Sequence, residues 1–293
     1  MPDFLELSFP LGALAAQTAE EACFAVGASA VTLADAADEP VLEPLPGELR
    51  LWPHTRLTAL FPAHADADGL RLALASALGL EAREIHAQRL ADRAWEREWL
   101  RHFHARRFGT RLWVCPRHER IADPQAAVVL LDPGLAFGTG THASTALLLT
   151  WLDAHAPEDA TVIDYGCGSG VLALAAGKLG ARRVHCFDID PQALLATREN
   201  AAANALAARL EVHAAAGTLP AGVDLLLANI LSGTLCALAP QFAAQLRAGG
   251  TAVLGGILEE QAAEVTAAYA PWFDVNRCGS REGWVALSAR RRA

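Results

Sequence analysis

The stretch TVIDYGCGSGVLALAAGKL, residues 161–179, decides the fold of the C-terminal part of this chain. Residues 161–165 predict a short apolar strand, and the apolar run that begins at Val171 predicts a helix. Between them lies the glycine-rich turn GCGSG at residues 166–170. A strand that leads through such a turn into a helix is typical of the nucleotide-binding unit of an α/β protein.

The sequence on both sides of this unit continues the same alternation of strands and helices. Strands are predicted at residues 183–189, 209–213, 223–228, 251–255 and 284–289, and helices at about 145–153, 192–204, 233–246 and 258–269. Strands that alternate with helices favour a parallel arrangement. The predicted fold class is therefore α/β, with a doubly wound, mainly parallel, Rossmann-like sheet.

The spacing of the glycine turn favours one class of nucleotide over another. The dinucleotide fingerprint G-x-G-x-x-G would place a glycine where this chain has Val171, and Asp164 precedes Gly166 by two residues. A nearby carboxylate disfavours the pyrophosphate of a nicotinamide cofactor and favours a cationic ligand. S-adenosylmethionine carries a sulfonium and an ammonium, so it is the cofactor that the turn predicts. No Gly-Lys-Ser/Thr follows any glycine run, which excludes a Walker loop.

Three further residues follow the strand ends where doubly wound sheets bind ligands. Asp188 lies 22 residues after Gly166, where an acid accepts hydrogen bonds from ribose hydroxyls. Glycines at 166 and 168 let the backbone approach the cofactor. Thr145 follows the glycine-rich segment 131–145 and offers its hydroxyl to an anion such as the methionine carboxylate; an ordinary loop with a Ser/Thr cap is the alternative. Asn229 contacts the donor or the acceptor nitrogen, or else caps the next helix.

The first 90 residues have their own pattern. Alternating and helical stretches predict the order strand-helix-strand-strand-helix-strand, a ferredoxin-like α+β domain; the segments are 4–9, 15–27, 30–36, 55–61, 68–80 and 83–90, with a loop at 38–54. Trp95, Trp99 and Phe103 share one helical stripe. We therefore predict a substrate-recognition domain at 1–90, a linker helix at 91–108 and a catalytic domain at 109–293.

Charge and cysteine content narrow the classes of partner and compartment. The net charge is −9, and residues 1–82 alone hold twelve acids against three arginines. Nucleic-acid binding depends on neutralising phosphates, so an acidic first domain favours a basic protein partner instead. The six cysteines form no paired spacing, which predicts reduced thiols in the cytoplasm and no metal site. Apolar runs are too short to span a bilayer, and the N-terminus does not read as a signal peptide.

Several motifs together resemble one family. LDPGLAFGTGTH, VIDYGCGSG, FDID and ANIL, with WEREWLRHFH and RFGTRLWVCP, closely resemble the bacterial methyltransferases of the eleventh large-subunit ribosomal protein. The resemblance implies a cytoplasmic class I protein-lysine N-methyltransferase that trimethylates lysine side chains and the N-terminal α-amine. It also implies that the small domain grips the substrate and that the linker repositions it. Thr145, Gly166, Asp188 and Asn229 are the donor contacts it implies; Ala143 replaces the family's proline.

The chemistry of the amine that accepts the methyl group indicates what the catalytic residues must do. Methyl transfer needs a neutral amine, and a lysine with a pKa of about 10.4 is neutral in roughly one molecule in 2,500 at pH 7. Desolvation lowers that pKa, and alignment in the site can supply about 7–11 kcal/mol. No residue stands out as a general base, so Asn229 is expected to orient the amine. The alternatives are a methyltransferase for RNA or a small molecule, supported by the basic stretch 83–120, a nicotinamide oxidoreductase, and a non-catalytic donor-binding regulator.

Overall fold

The computed structural model describes residues 2–37, 51–91, 104–131 and 142–293. Contacts between residues divide the chain into two compact units, Met1–Glu98 and Trp99–Ala293. Across the four described ranges, no helix has the length and apolar character that crossing a membrane requires.

The first unit is a four-stranded antiparallel sheet with two helices. Its elements are β1 (Pro2–Pro10), α1 (Ala16–Ala25), β2 (Ala30–Asp35), β3 (Thr55–Pro62), α2 (Ala67–Leu78) and β4 (His86–Ala91). The sheet order β2-β3-β1-β4 confirms the predicted ferredoxin-like topology. Alternate residues of β1 and β3, such as Leu7 and Leu57, are buried against the helices, as the period of two predicts. Asp66 caps α2 by accepting a hydrogen bond from the backbone of Asp68.

One strand of the first unit begins later than the sequence predicts. The strand predicted at 83–90 begins only at His86, because Ala82–Glu84 forms a turn of 3₁₀ helix. The Glu84 carboxylate accepts a hydrogen bond from the Glu81 N–H at 2.8 Å, which favours that turn over an extended chain. Residues 38–50 of the predicted loop 38–54 lie outside the described residues.

The predicted linker helix at 91–108 is wrong at both ends. Ala91 ends strand β4, and Arg106–Phe108 forms strand β5; residues 92–103 lie outside the described ranges. β5 pairs antiparallel with β6 (Leu112–Cys115), which runs parallel to β7 (Ala127–Leu130) in a three-stranded sheet. The Asp153 carboxylate holds the turn between β5 and β6, since it accepts hydrogen bonds from three successive backbone N–H groups, those of residues 110–112. The stripe of Trp95, Trp99 and Phe103 lies among residues 92–103, so a helix there stays a prediction.

The second unit contains a seven-stranded sheet. Its further strands are β8 (Thr161–Tyr165), β9 (Arg183–Phe187), β10 (Leu210–His213), β11 (Val223–Asn229), β12 (Leu246–Leu258), β13 (Phe273–Arg281) and β14 (Trp284–Arg291). The order is β10-β9-β8-β11-β12-β14-β13. The first five strands are parallel, and β14 is antiparallel to both of its neighbours. The mainly parallel sheet is thus confirmed, and its order reverses between β8 and β11, where doubly wound sheets bind ligands.

Helices cover both faces of this sheet. They are α3 (Ala143–Ala154), α4 (Val171–Lys178), α5 (Pro191–Ala203), α6 (Ser232–Gln245) and α7 (Ala262–Tyr269). Val162 of β8 belongs to the core on the face of α4, and its neighbour Ile163 belongs to the core on the face of α6. Because both faces are buried, the strands read as continuous apolar runs. Three alanines of α4, at 173, 175 and 176, are fully buried and permit close packing on the sheet.

The end of the chain differs from the sequence expectations. Strand β13 was not predicted from the sequence. Phe273 is its one fully buried residue, and its other positions do not alternate between buried and exposed, so the strand lacks the usual period of two. The helix predicted at 258–269 begins at Ala262, because β12 continues to Leu258 and a 3₁₀ turn covers Glu259–Gln261.

Candidate functional site

The glycine turn joins β8 to α4 through a backbone that other residues rarely adopt. Gly166, Gly168 and Gly170 have φ angles of +77°, +53° and +81°. A side chain on Gly166 would also collide with Ile230, whose Cγ2 atom lies 2.4 Å from the position of a Cβ. The N–H groups of Gly166 and Cys167 both donate to the carbonyl oxygen of Phe187, at 2.8 and 3.0 Å. The turn is therefore fixed against the end of β9, with its backbone open to a ligand.

Asp188 lies beside the turn, as the sequence predicts. Its Oδ2 atom accepts a hydrogen bond from the N–H of Gly168 at 2.9 Å, and its Oδ1 atom accepts one from the N–H of Asp190 at 3.0 Å. A carboxylate has about four acceptor positions, so further hydrogen bonds to ligand hydroxyls are available. The half-buried carboxylate holds the shape of the turn and still faces the carboxyl edge of the sheet.

Asp164 is placed beneath the turn rather than beside it. The side chain is fully buried, and its Oδ2 atom accepts a hydrogen bond from the N–H of Ala173 in the first turn of α4, at 3.0 Å. The Oδ1 atom is buried, and no group in the described parts of the chain hydrogen-bonds to it. Burial, with a smaller contribution from the charge of Asp188, raises the pKa of Asp164 to about 7. This carboxyl therefore stabilises the helix N-terminus, and its predicted role toward a cationic ligand stays a prediction.

Thr145 and Asn229 meet on the other side of the turn. Asn229 ends β11, and its Nδ2 atom donates to the Oγ1 atom of Thr145 at 3.0 Å. Thr145 is buried in the first turn of α3. The Oδ1 atom of Asn229 is buried and has no hydrogen-bond partner among the described residues, although such an acceptor is costly to leave unsatisfied. Gly255 is its register neighbour on β12, and a side chain there would crowd this oxygen, because a Cβ would lie 2.9 Å from it.

The helix-capping alternatives for these two residues are wrong. α3 begins at Ala143 with His142 as its cap, since the Nδ1 atom of His142 accepts from the N–H of Ser144 at 3.3 Å. α6 has Leu231 as its cap and no side-chain cap hydrogen bond. The glycine-rich segment before His142 lies outside the described residues at 132–141.

Two residues of α5 also hold the glycine turn in place, and neither was among the site residues predicted from the sequence. Thr197 donates through Oγ1 to the carbonyl of Gly168 at 3.0 Å, and Asn200 donates through Nδ2 to the carbonyl of Ser169 at 2.9 Å. Thr197, Asn200 and Asn204 are all buried and recur at helical spacing on one side of α5. A polar stripe on the packed face of a helix was the signal that could have found them.

The arrangement fits a nucleoside ligand with a cationic amino acid part. The Asp188 carboxylate, an amide and a hydroxyl lie around the glycine turn, the Asp164 carboxyl lies buried beneath it, and none of these groups is cationic. The unsatisfied Asn229 oxygen calls for an N–H donor, and Asp188 suits vicinal hydroxyls. The sheet order and this turn define the protein as a class I S-adenosylmethionine-dependent methyltransferase.

Comparison with known proteins identifies the family. The family model described as "Ribosomal protein L11 methyltransferase (PrmA)" matches residues 3–292. A protein of Pseudomonas aeruginosa (strain LESB58) named "Ribosomal protein L11 methyltransferase" is 49% identical to this chain over 279 residues, which cover 95% of each chain. In Methylococcus capsulatus (strain ATCC 33009 / NCIMB 11132 / Bath) the identity is 48% over 279 residues, covering 94% of this chain and 95% of the relative. The chain belongs to the ribosomal protein L11 methyltransferase family.

A solved structure agrees with this assignment. The crystal structure of a ribosomal protein L11 methylase from Lactobacillus delbrueckii subsp. bulgaricus superimposes with a TM-score of 0.60 at 30% sequence identity. It covers 65% of this chain and 100% of its own chain.

Proposed function

We propose that this methyltransferase acts on amino groups of ribosomal protein L11, namely lysine side chains and the N-terminal α-amine, and that it trimethylates them. The names of its relatives support L11 as the substrate. The observation that carries the amine assignment is the Oδ1 atom of Asn229, a buried acceptor without a partner at the carboxyl end of β11. An amine of the substrate supplies the N–H that this oxygen needs.

The chain's own groups suggest how the donor is held. We assign the ribose hydroxyls to Asp188 and the close approach of the cofactor to the backbone of Gly166 and Gly168. The hydroxyl of Thr145, in the first turn of α3, suits the methionine carboxylate, because helix N-termini favour anions. S-adenosylmethionine supplies the methyl group as part of a sulfonium. Asp164 lies behind the turn and stabilises α4 in this arrangement.

Asn229 orients the acceptor amine rather than removing its proton. Its Nδ2 atom donates to Thr145 at 3.0 Å, and this hydrogen bond favours the orientation in which Oδ1, beside Gly255, is the free acceptor. The oxygen accepts an N–H of the neutral amine and leaves the nitrogen lone pair free for attack. Bringing a free lysine to its neutral form costs about 4.6 kcal/mol at pH 7, whereas an α-amine with a pKa near 8 costs about 1.4 kcal/mol. Alignment is worth more than either amount.

The first unit is the candidate for substrate recognition. Residues 1–82 are strongly acidic, and an acidic surface attracts a basic protein partner. No nucleic acid is required for this interaction, since the same charge repels phosphates. A cytoplasmic location, where newly made ribosomal proteins are available, stays a prediction.

The test is methyl transfer from labelled S-adenosylmethionine to purified, unmethylated L11, read by mass spectrometry of the intact protein and its peptides. We expect mass increases in steps of one methyl group, up to three on each modified amine. A basic protein of similar size serves as the matched control and should stay unmodified. Transfer of label to ribosomal RNA, with L11 unmodified, would instead establish the RNA methyltransferase alternative.

A further inference from the structure

Two histidines and a glutamate lie together on neighbouring strands at the edge of the seven-stranded sheet. The parallel register of β9 and β10 places Glu211 beside His185 and His213 beside Phe187. Side chains two residues apart on a strand share a face, so the three groups lie on the same face of the sheet. The cluster takes no part in the hydrogen bonds that hold the glycine turn.

The distances within the cluster suit a metal ion. The Nδ1 atom of His185 lies 3.0 Å from the Nε2 atom of His213, and these atoms lie 3.7 and 3.8 Å from the oxygens Oε2 and Oε1 of Glu211, respectively. All three residues offer a ligand atom within 4.8 Å of the others. In a tetrahedral zinc site with bonds of about 2.0–2.1 Å, ligand atoms lie about 3.3–3.4 Å apart. Shifts of a few tenths of an ångström would therefore complete the geometry.

A hydroxyl group sets the protonation of one histidine. Thr218 donates its single hydroxyl hydrogen to the carbonyl of Ala215 at 2.7 Å. Its contact of 2.9 Å with the Nδ1 atom of His213 must therefore be an N–H donated by the imidazole. The Nε2 atom of neutral His213 then carries the lone pair, and it faces His185. Metal-binding histidines commonly have their second nitrogen fixed in this way.

The other histidine is buried. His185 is 8% exposed, so little of its imidazole reaches solvent. The Glu211 side chain is half exposed, which leaves a path for an ion and for water ligands. A guanidinium nitrogen of Arg183 lies 3.2 Å from the Oε2 atom of Glu211, but the Arg183 side chain is 55% exposed and is free to turn into solvent.

We propose that His185, Glu211 and His213 form a binding site for a divalent transition-metal ion of the zinc type, with water completing its coordination. Two imidazoles and one carboxylate are an established ligand set for zinc. The bound ion joins edge strand β10 to β9, the strand that leads into Asp188. This site lies beyond the proposed methyl transfer, and it reverses the expectation of no metal site, which rested on cysteine spacing alone.

The experiment uses the full chain without an affinity tag, stripped with a chelator and titrated with zinc chloride by calorimetry and thermal unfolding. We expect one ion per chain and a rise in melting temperature of about 5–10 °C at a hundredfold excess of zinc over Kd. Cobalt should give the intense visible bands of a four-coordinate site without a thiolate charge-transfer band. Binding weaker than about 100 μM, or a thiolate band, would overturn the proposal.

Variants separate this site from other surface groups. His213→Gln and Glu211→Gln should each abolish the zinc-dependent rise in melting temperature. Because Glu211 is half exposed, Glu211→Gln is expected to fold, and it keeps the test valid if His213→Gln does not. Thr218→Val should weaken zinc binding about 10–100-fold, and Arg183→Gln should tighten it. The matched control is His104→Gln with His118→Gln, an exposed pair beside Glu119, which should leave binding unchanged. Loss of binding in that control alone would place the ion elsewhere.

Discussion

The two units of the molecule bury very different side chains. Among the described residues of the first unit, Thr55 is the one buried polar side chain, and it donates to the carbonyl of Trp52 at 2.6 Å. The described residues of the second unit bury eleven polar side chains: Ser144, Thr145, Asp153, Asp164, Ser169, His185, Thr197, Asn200, Asn204, Ser232 and Gln245. Buried polar groups are costly unless they are hydrogen-bonded, and those that hold the glycine turn lie in this unit. The role proposed for the first unit depends instead on its acidic charge.

Removing the first unit gives the largest expected effect. A chain without residues 1–98 should bind S-adenosylmethionine with a Kd within about twofold of the full chain, because the proposed donor contacts all lie in the second unit. Methylation of L11 should be abolished, because the acidic unit proposed to attract the substrate is missing. Calorimetry with the donor and mass spectrometry of L11 measure the two properties. A truncated chain that still methylates L11 would contradict this division of labour.

Replacing Asn229 tests the acceptor side of the second unit. Asn229→Ala should lower kcat at least about 100-fold, as expected for loss of a group that orients the reacting amine, while donor affinity changes little. Thr145→Val should give a smaller loss of kcat, because the amide loses its anchor but keeps its oxygen, and it should also weaken donor binding, because the hydroxyl proposed for the methionine carboxylate is removed. Thr150→Val on the same helix is the matched control, since the Thr150 hydroxyl donates only to the carbonyl of Ala146. An active Asn229→Ala enzyme would refute the role of Oδ1.

Replacing Asp188 tests the donor side. Asp188→Ala should weaken S-adenosylmethionine binding at least tenfold, about 1.4 kcal/mol, because the ribose loses its acceptor and the turn loses the bond to Gly168. Asp190→Ala is the matched control, since Asp190 is exposed and caps α5 through the N–H of Gln192. That control should lower the free energy of unfolding by about 1 kcal/mol and leave donor affinity unchanged. Equal calorimetric affinity for Asp188→Ala and wild type would remove Asp188 from the donor site.

The smallest expected effect is a pH dependence confined to the second unit. The pKa of Asp164 is raised to about 7 in the folded chain, above its usual value near 4, so folding favours the protonated form. That stabilisation is complete below about pH 4 and is lost as the pH rises through 7. The melting temperature should therefore fall between about pH 4 and pH 7 in wild type, and this contribution should be absent in Asp164→Asn. Bound donor, which is cationic, should reduce the fall; parallel curves for variant and wild type would contradict this.

The sequence predicts the parts of the fold in which one strand or helix carries its own signal. The buried strand before Gly166, the acid at Asp188 and the amide at Asn229 were each visible from a strand end and its next residue. Strand β13 was not, because its exposed face lacks alternation. Thr197 was missed because its partner Gly168 is supplied by another element. The pairing of His185 with Glu211 depends on register between strands, which no local pattern contains.

The position of β14 has a consequence for synthesis of the enzyme. This strand, Trp284–Arg291, lies inside the sheet between β12 and β13. Until it is in place, β12 lacks its partner on that side and β13 cannot join the sheet. The first unit has a hydrophobic core made of its own residues, so it can fold while the ribosome is still extending the chain. A nascent chain therefore acquires a folded N-terminal unit well before its catalytic sheet closes, and a stalled translation product lacking β14 would carry no working methyltransferase.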